Sequence, residues 1–321
     1  MDIWPNVSGN EINGLSDTEA RRPRYVYWAK DPSSIPHGQA QLWFYTQSAK
    51  HSGFAVARAE RQKILEAPLP DVAEVETHRA PEDWTRALDH FVADGLCEKV
   101  GVAEMNPDWV MEGEDLAFSR VIMCGVQHDY DTIAEAPDIP AGLEVMRQYG
   151  RAALVSKRIA GWLRDQGWTA DPLTGPMASA LTMIPPALAC GFGELGKHGS
   201  IIDRDMGASF RLSAVLTNAP FAPTPPDVFG ADGFCQSCRI CEDACPPEAL
   251  FPDKKTVRGV EKWYVDFDKC LPFFNETQGC AICIAVCPWS RPGVGPNLAA
   301  KLERRAERIA KTPNRADEQP D

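Results

Sequence analysis

The sequence predicts a mixed α/β fold followed by a smaller cysteine-rich domain, and three observations carry that expectation. Helical and strand-like apolar patterns alternate from about residue 81 to residue 217, which favours an α/β domain over a helical bundle. A stiff connector follows, with prolines at 220, 223, 225 and 226. Beyond it, eight of the 11 cysteines of this 321-residue chain fall between Cys235 and Cys287. The background composition, 44% apolar and 24% charged, is that of a globular protein and excludes a mainly disordered or collagen-like chain.

Residues 1–80 show weak periodicity and turn-rich pieces such as the stretch from Asp31 to Gly38, which reads as an irregular N-terminal segment wrapping a later core. From Pro81 the pattern sharpens. Trp84, Leu88, Phe91, Val92 and Cys97 follow helical spacing, and Val100 to Met105 reads as a short strand. The unbroken apolar run from Val121 to Val126 predicts a strand buried on both faces. Leu143, Met146, Val155, Ile159, Trp162 and Leu163 predict a long helix over 141–167, stopped by Gly167. Ser209 to Leu216 reads as a further strand. The expected organisation is therefore an N-terminal segment over 1–80, an α/β domain over 81–225, a cysteine-rich domain over 226–296, and a charged helix with a tail over 297–321.

Thirty-three Lys and Arg against 45 Asp and Glu give a formal charge of −12. Such a surface repels phosphate backbones and argues against a nucleic-acid partner. No apolar run reaches the roughly 18 to 20 residues that span a bilayer, since the stretch from Ala178 to Phe192 is short and broken by Pro185 and Pro186. Arg21-Arg22 is followed by Pro23, Arg24 and Lys30 where an export signal requires an apolar region. A cytoplasmic protein without a membrane partner is expected.

Cys235-x2-Cys238-x2-Cys241-x3-Cys245-Pro246 has the bacterial ferredoxin spacing, and Cys270-x9-Cys280-x2-Cys283-x3-Cys287-Pro288 repeats it with a wider first gap. Three close thiolates wrap one cluster and the distant fourth serves the other. Two [4Fe–4S] clusters are expected, one on Cys235, Cys238, Cys241 and Cys287, the other on Cys245, Cys270, Cys280 and Cys283. Zinc also uses C-x2-C pairs, but it does not call for this run twice. Cys97, Cys124 and Cys190 lie in apolar settings and read as packed core thiols. Clusters conduct electrons without specifying a reaction, and about 220 residues precede them. No G-x-G-x-x-G follows a clear strand; Gly191 to Gly196 matches it only loosely, which argues against a Rossmann nucleotide site.

Several blocks carry a family resemblance. The runs Asp129 to Pro137, Tyr149 to Ala153, Ile184-Pro185, Gly191 to Gly199 and Met206 to Arg211, with both cysteine runs in order, resemble the corrinoid-dependent reductive dehalogenases. The epoxyqueuosine reductases are similar in the same places. The resemblance covers about 83–292 and implies a nitroreductase-like domain holding base-off cobalamin beside a dicluster bacterial-ferredoxin-like domain. It implies a catalytic Tyr149 that donates a proton, tuned and positioned by Arg211. It further implies corrin contacts from Gly193, Glu194, Leu195, Gly196, His198 and Gly199.

Base-off binding agrees with the lack of a D-x-H-x-x-G run; of the six scattered histidines, most read as surface or satisfied polar residues. One departure stands out. The family places a Lys or Asn in the loop before Ile184-Pro185, whereas residues 171–180 contain neither, leaving Thr174 or Ser179 as weaker substitutes. The implied function is reductive dehalogenation of a small organohalide, or a related reductive elimination, fed by an external low-potential donor such as a ferredoxin, flavodoxin or reductase. A dicluster electron-transfer subunit lacking the corrinoid is the alternative from a different class. Epoxyqueuosine-type reduction is disfavoured by the acidic charge, by Tyr149 and by the missing helical repeats.

Overall fold

A computed structural model describes residues 3–175 and 179–311. The tail expected over 312–321 and part of the 171–180 loop lie outside the described residues. The N-terminal segment is more ordered than the sequence predicts: helix α1 (Gly9–Asn13) is followed by α2 (Gly38–Ser48) and α3 (Ser52–Glu66). The irregular reading of 1–80 is therefore corrected over these stretches. The physical reason lies in α2, whose buried face mixes Ala40 and Phe44 with Gln41 and Ser48. A helix that buries polar residues shows no clean apolar stripe. Gln41 is satisfied by Ala29, accepting from its N–H at 3.1 Å and donating to its C=O at 2.9 Å. Arg21 and Arg22 are tied into the fold. Arg21 pairs with Asp17 at 2.8 Å, and Arg22 donates to the carbonyls of Val110 and Met111 at 2.9 and 2.6 Å.

Helix α4 (Pro81–Val92) leads into strands β1 (Lys99–Glu104) and β2 (Arg120–Gln127), the short helix α5 (Tyr130–Ile133) and the long helix α6 (Ile139–Asp165). Strand β3 (Ala170–Leu173), helix α7 (Ile184–Ala189), the hairpin β4 (Glu194–Leu195) with β5 (Ile201–Ile202), and β6 (Phe210–Thr217) complete this part. The main sheet has the order β1-β2-β6-β3 with every pair antiparallel. Side chains alternate across it. Ile122, Cys124, Val126 and Val215 join α4 and α6 in one core, while Val121, Met123, Ala214 and Leu216 join α7 in another. The strand predicted at 121–126 is thus buried on both faces. Cys97, Cys124 and Cys190 are buried in these two cores, as packed thiols.

The proline connector does not run free. Thr224 donates its N–H to Val102 O at 2.8 Å, and its hydroxyl accepts from Val102 N at 3.1 Å, so the segment is strapped along β1. The cysteine-rich part holds α8 (Ala231–Ser237), α9 (Ile240–Asp243), the hairpin β7 (Lys255–Val257) with β8 (Val260–Lys262), α10 (Phe267–Glu276) and α11 (Ile282–Ala285). The final helix α12 (Val294–Lys311) packs Leu298, Ala299 and Leu302 against the core built on Phe229, Trp263 and Trp289. Among the described residues, no helix is long and apolar enough to cross a membrane.

Candidate active site

The cysteines converge from four short helices. Cys235 lies in α8 and Cys238 caps it, Cys241 lies in α9, and Cys287 follows α11. These four line one small cavity together with Lys197 and His198. The other four approach one another as the second spacing rule requires. Burial pushes the Cys270 thiol up to about 12, and the neighbouring Cys280 and Cys245 push in the same direction. Cys283 is raised by burial, then by Cys280 and Cys270. In the first group, burial and then Cys235 and Cys238 push Cys241 up to about 12. Clustered thiols whose anions repel one another are poor thiolates alone, and a cationic iron–sulfur core is the partner that makes such a donor set ionise. The cysteine arrangement fits clusters.

The glycine-rich loop is tied to the cysteine-rich part of the chain. Glu194 Oε2 accepts the N–H groups of Phe229, Gly230 and Ala231 at 2.9, 2.7 and 2.8 Å, and Oε1 accepts that of Asp232 at 3.3 Å. Its carboxylate holds the start of α8, the helix that carries Cys235. Leu195 packs in the core around Trp263 and Trp289. Gly193 has φ +99°, and a Cβ there would lie 2.1 Å from Ile202 O, so its need for glycine comes from β5. A Cβ on Gly199 would meet Val265 at 2.9 Å, on the cysteine-rich side. His198 lines the Cys235 cavity with its neighbour Lys197. The sequence motif contained Lys197, but reading it alone gave this residue no role.

Tyr149 and Arg211 do come together. Along α6, Ala152, Ala153, Val155, Ser156, Ile159 and Leu163 are buried against the sheet. Tyr149 lies one turn before Ala152 and Ala153 on the same side of the helix. Arg211 pairs in register with Val126 near the end of β6, and its guanidinium carbon lies 5.1 Å from the centre of the Tyr149 ring. The contact is with the ring face, a cation–π arrangement. The expected pair is therefore in contact, with the charge delivered through the ring.

Three further residues complete the site. Arg61 comes from α3: a Cβ on Gly175 would lie 3.6 Å from Arg61 Nη2 and 3.7 Å from Tyr149 Cδ1, so both side chains meet the same point of the 171–175 loop. Arg58, one turn earlier, stacks 5.4 Å from the Tyr45 ring and donates to Ser48 Oγ. Among the described residues no ion pair is made by Arg58, Arg61 or Arg211, and Nε of each is buried without a hydrogen-bond partner. Burial pulls both Arg58 and Arg61 below the usual arginine value.

His128 is the third addition and a correction to the reading of the histidines as surface or satisfied. It is buried, its Nδ1 lies 3.1 Å from Ser209 Oγ, and its Nε2 has no partner. Burial and then the Arg211 charge hold it well below the usual histidine value, so it is neutral. His37 is likewise buried with Nδ1 unpartnered. Ser179, a suggested substitute for the missing Lys or Asn, spends its hydroxyl accepting from Leu181 N at 3.2 Å. The sequence offered no signal for Arg61, which sits in the weakly patterned segment. His128 stood immediately before a block that matched the family.

These features define an α+β protein with a dicluster iron–sulfur domain: residues 234–290 match the 4Fe-4S dicluster domain family. Over 87% of its length the chain is 27% identical to a tetrachloroethene reductive dehalogenase of Dehalobacter restrictus, and 29% identical to one of Desulfitobacterium hafniense. It spans 56% of each of these relatives, little more than half their length. An epoxyqueuosine reductase of a Synechococcus strain is 29% identical over 64% of the chain and 65% of that protein. Among solved structures, the catabolic reductive dehalogenase NpRdhA matches with a TM-score of 0.75 at 22% identity, covering 92% of this chain and 47% of that one. A reductive dehalogenase from work on B12-dependent dehalogenation matches with a TM-score of 0.70 at 21% identity, covering 92% and 47%. The chain is homologous to the reductive dehalogenases and shares their fold, with the epoxyqueuosine reductases also among its relatives.

Proposed function

We propose that this protein is a cobalamin- and iron–sulfur-dependent reductase that removes halide from a small anionic organohalide. One observation carries the reading: Arg211 lies over the Tyr149 ring, Arg61 meets Tyr149 at Gly175, and no carboxylate of the described residues forms an ion pair with either cation. A desolvated, uncompensated guanidinium is costly unless a ligand supplies the counter-charge. A carboxylate or phenolate on the substrate does so with two charge-assisted hydrogen bonds.

Cys235, Cys238, Cys241 and Cys287 hold one four-iron cluster in this reading, and Cys245, Cys270, Cys280 and Cys283 the other. Cobalamin, when bound, would supply a strongly reducing centre. Arg211 Nε and His128 Nε2 are both unpartnered, and the two residues act on each other beside Tyr149, which fits a polar ligand there. The net change is R–X plus two electrons and a proton to R–H plus X⁻, with electrons entering from an external low-potential donor. Tyr149 holds the proton at its hydroxyl and delivers it to carbon. Arg211, stacked on the ring, orients it. Arg61 takes the anionic group of the substrate, in the role the family gives to a loop Lys or Asn. Neutral His128 keeps further positive charge out of the site.

Anaerobic reconstitution with iron, sulfide and hydroxocobalamin, then assay of halide release from bromo-hydroxybenzoates and chloroethenes under a strong reductant, tests this. Halide from the anionic arenes is expected. A chain that takes up iron yet never retains the corrinoid would point instead to an electron-transfer subunit.

A further inference from the structure

Lys197 is a buried cation with no part in the chemistry at Tyr149. It is 2% exposed, its Nζ lies 3.3 Å from Glu242 Oε2 and 5.2 Å from the centre of the Trp263 ring, and it lines the cavity of Cys235, Cys238, Cys241 and Cys287. His198, next in sequence, is equally enclosed. Ser200 donates its N–H to His198 Nδ1 at 3.1 Å, so the ring proton of the neutral form resides on Nε2. That Nε2–H is buried without a partner, on a ring that lines the same cavity. The ring is seated against Gly196, where a Cβ would lie 2.7 Å from Cε1 and 3.0 Å from Nε2. Only glycine leaves room for it.

The second thiol group is different. Its Cys245 sulfur accepts the N–H of Ala249 at 3.4 Å, and the cavity that Lys197 and His198 line holds none of its four cysteines. The electrostatic asymmetry between the two groups is therefore built in by one loop. Reduction adds a negative charge to a cluster, and nearby positive charge and N–H donors to sulfur stabilise the reduced form.

We propose that Lys197 and His198 raise the reduction potential of the cluster held by Cys235, Cys238, Cys241 and Cys287, with Glu242 partly offsetting the lysine. The inference rests on the cluster assignment above but not on the substrate or the corrinoid. Both residues act through the cluster as positioning and tuning groups.

The full chain reconstituted with iron and sulfide alone, titrated with mediators and followed by EPR, gives a midpoint for each cluster. Lys197→Met should lower one midpoint and leave the other in place; at fixed potential, the reduced-to-oxidised ratio of that cluster should fall about tenfold, or about 59 mV for one electron. Lys197→Arg should keep the parent value, and His198→Phe should lower the same midpoint. Glu242→Gln should raise it. If Lys197→Met takes up no iron, Glu242→Gln decides alone, because its expected sign is opposite to that of general damage. An unmoved or lowered midpoint in Glu242→Gln, or an equal shift of both clusters in Lys197→Met, overturns the proposal. Failure to release halide leaves these midpoints untouched, so the two readings fail separately.

Discussion

Replacing Glu194 by glutamine removes the charge that holds the start of α8 while keeping the shape of the side chain. Three backbone N–H groups reach Oε2 at 2.7 to 2.9 Å, and a fourth reaches Oε1 at 3.3 Å. A hydrogen bond to a charged group contributes about 1.5 to 3 kcal/mol and a neutral one about 0.5 to 1.5. Neutralising the acceptor of the three short bonds therefore costs about 3 kcal/mol, with a smaller loss from the helix dipole. If the loss falls on local opening of α8, the open fraction rises about 10²-fold, since each 1.4 kcal/mol is a factor of ten. Cys235 and Cys238 ride on that helix, so the iron they hold becomes exposed to solvent. The assay is iron extraction by a chelator from the reconstituted protein. One phase should accelerate about 10²-fold, the other should hold, and cobalamin retention should stay at the parent level. Unchanged iron release combined with loss of cobalamin would refute the reasoning, and would return Glu194 to the corrin contact that the resemblance implies.

Tyr149→Phe should lower halide release by about 10² to 10⁴-fold, the usual contribution of a general acid, with iron and cobalamin contents unchanged. Arg61→Met should raise KM for a bromo-hydroxybenzoate by about 10 to 100-fold, from about 1.5 to 3 kcal/mol for a charge-assisted contact, and leave a chloroethene unaffected. Metal analysis of the reconstituted chain should give about eight iron per chain, and Cys270→Ala should lose about half of it. Because the folded value of His128 lies well below that of a free histidine, the unfolded chain binds the extra proton first. Stability should then be fully present above about pH 6.5 and fall as the pH drops below it, by up to about 1.4 kcal/mol per pH unit for this group. Denaturant titrations between pH 7 and 5 should show that slope, and His128→Asn should flatten it.

Much of this protein is legible locally. The cysteine spacings follow from how a short loop wraps a cluster, so the thiol groups that gather in space are those that the x2, x2, x3 rule pairs. Strand β2 was legible as an unbroken apolar run, and helix α6 because it is long and one apolar period dominates it. The N-terminal helices were not. Helix α2 buries Gln41 and Ser48 beside Ala40 and Phe44, which erases the pattern.

Tyr149 and Arg211 could be matched to a family from their flanking residues, but sequence could not say how they meet. The cation lies over the ring face because α6 crosses β6 there. Glu194 matched a cofactor motif and turned out to hold a helix of the other domain, since only tertiary packing brings residues 229–232 to its carboxylate. Arg61 owes its role to a missing counter-charge, His128 to burial with an unpartnered nitrogen, and Lys197 to burial beside the cysteines. Spacing along a chain fixes which ligands one loop can offer to one centre. Which charges are left uncompensated depends on side chains from distant segments meeting in a common low-dielectric space, and that was decided by the tertiary structure alone.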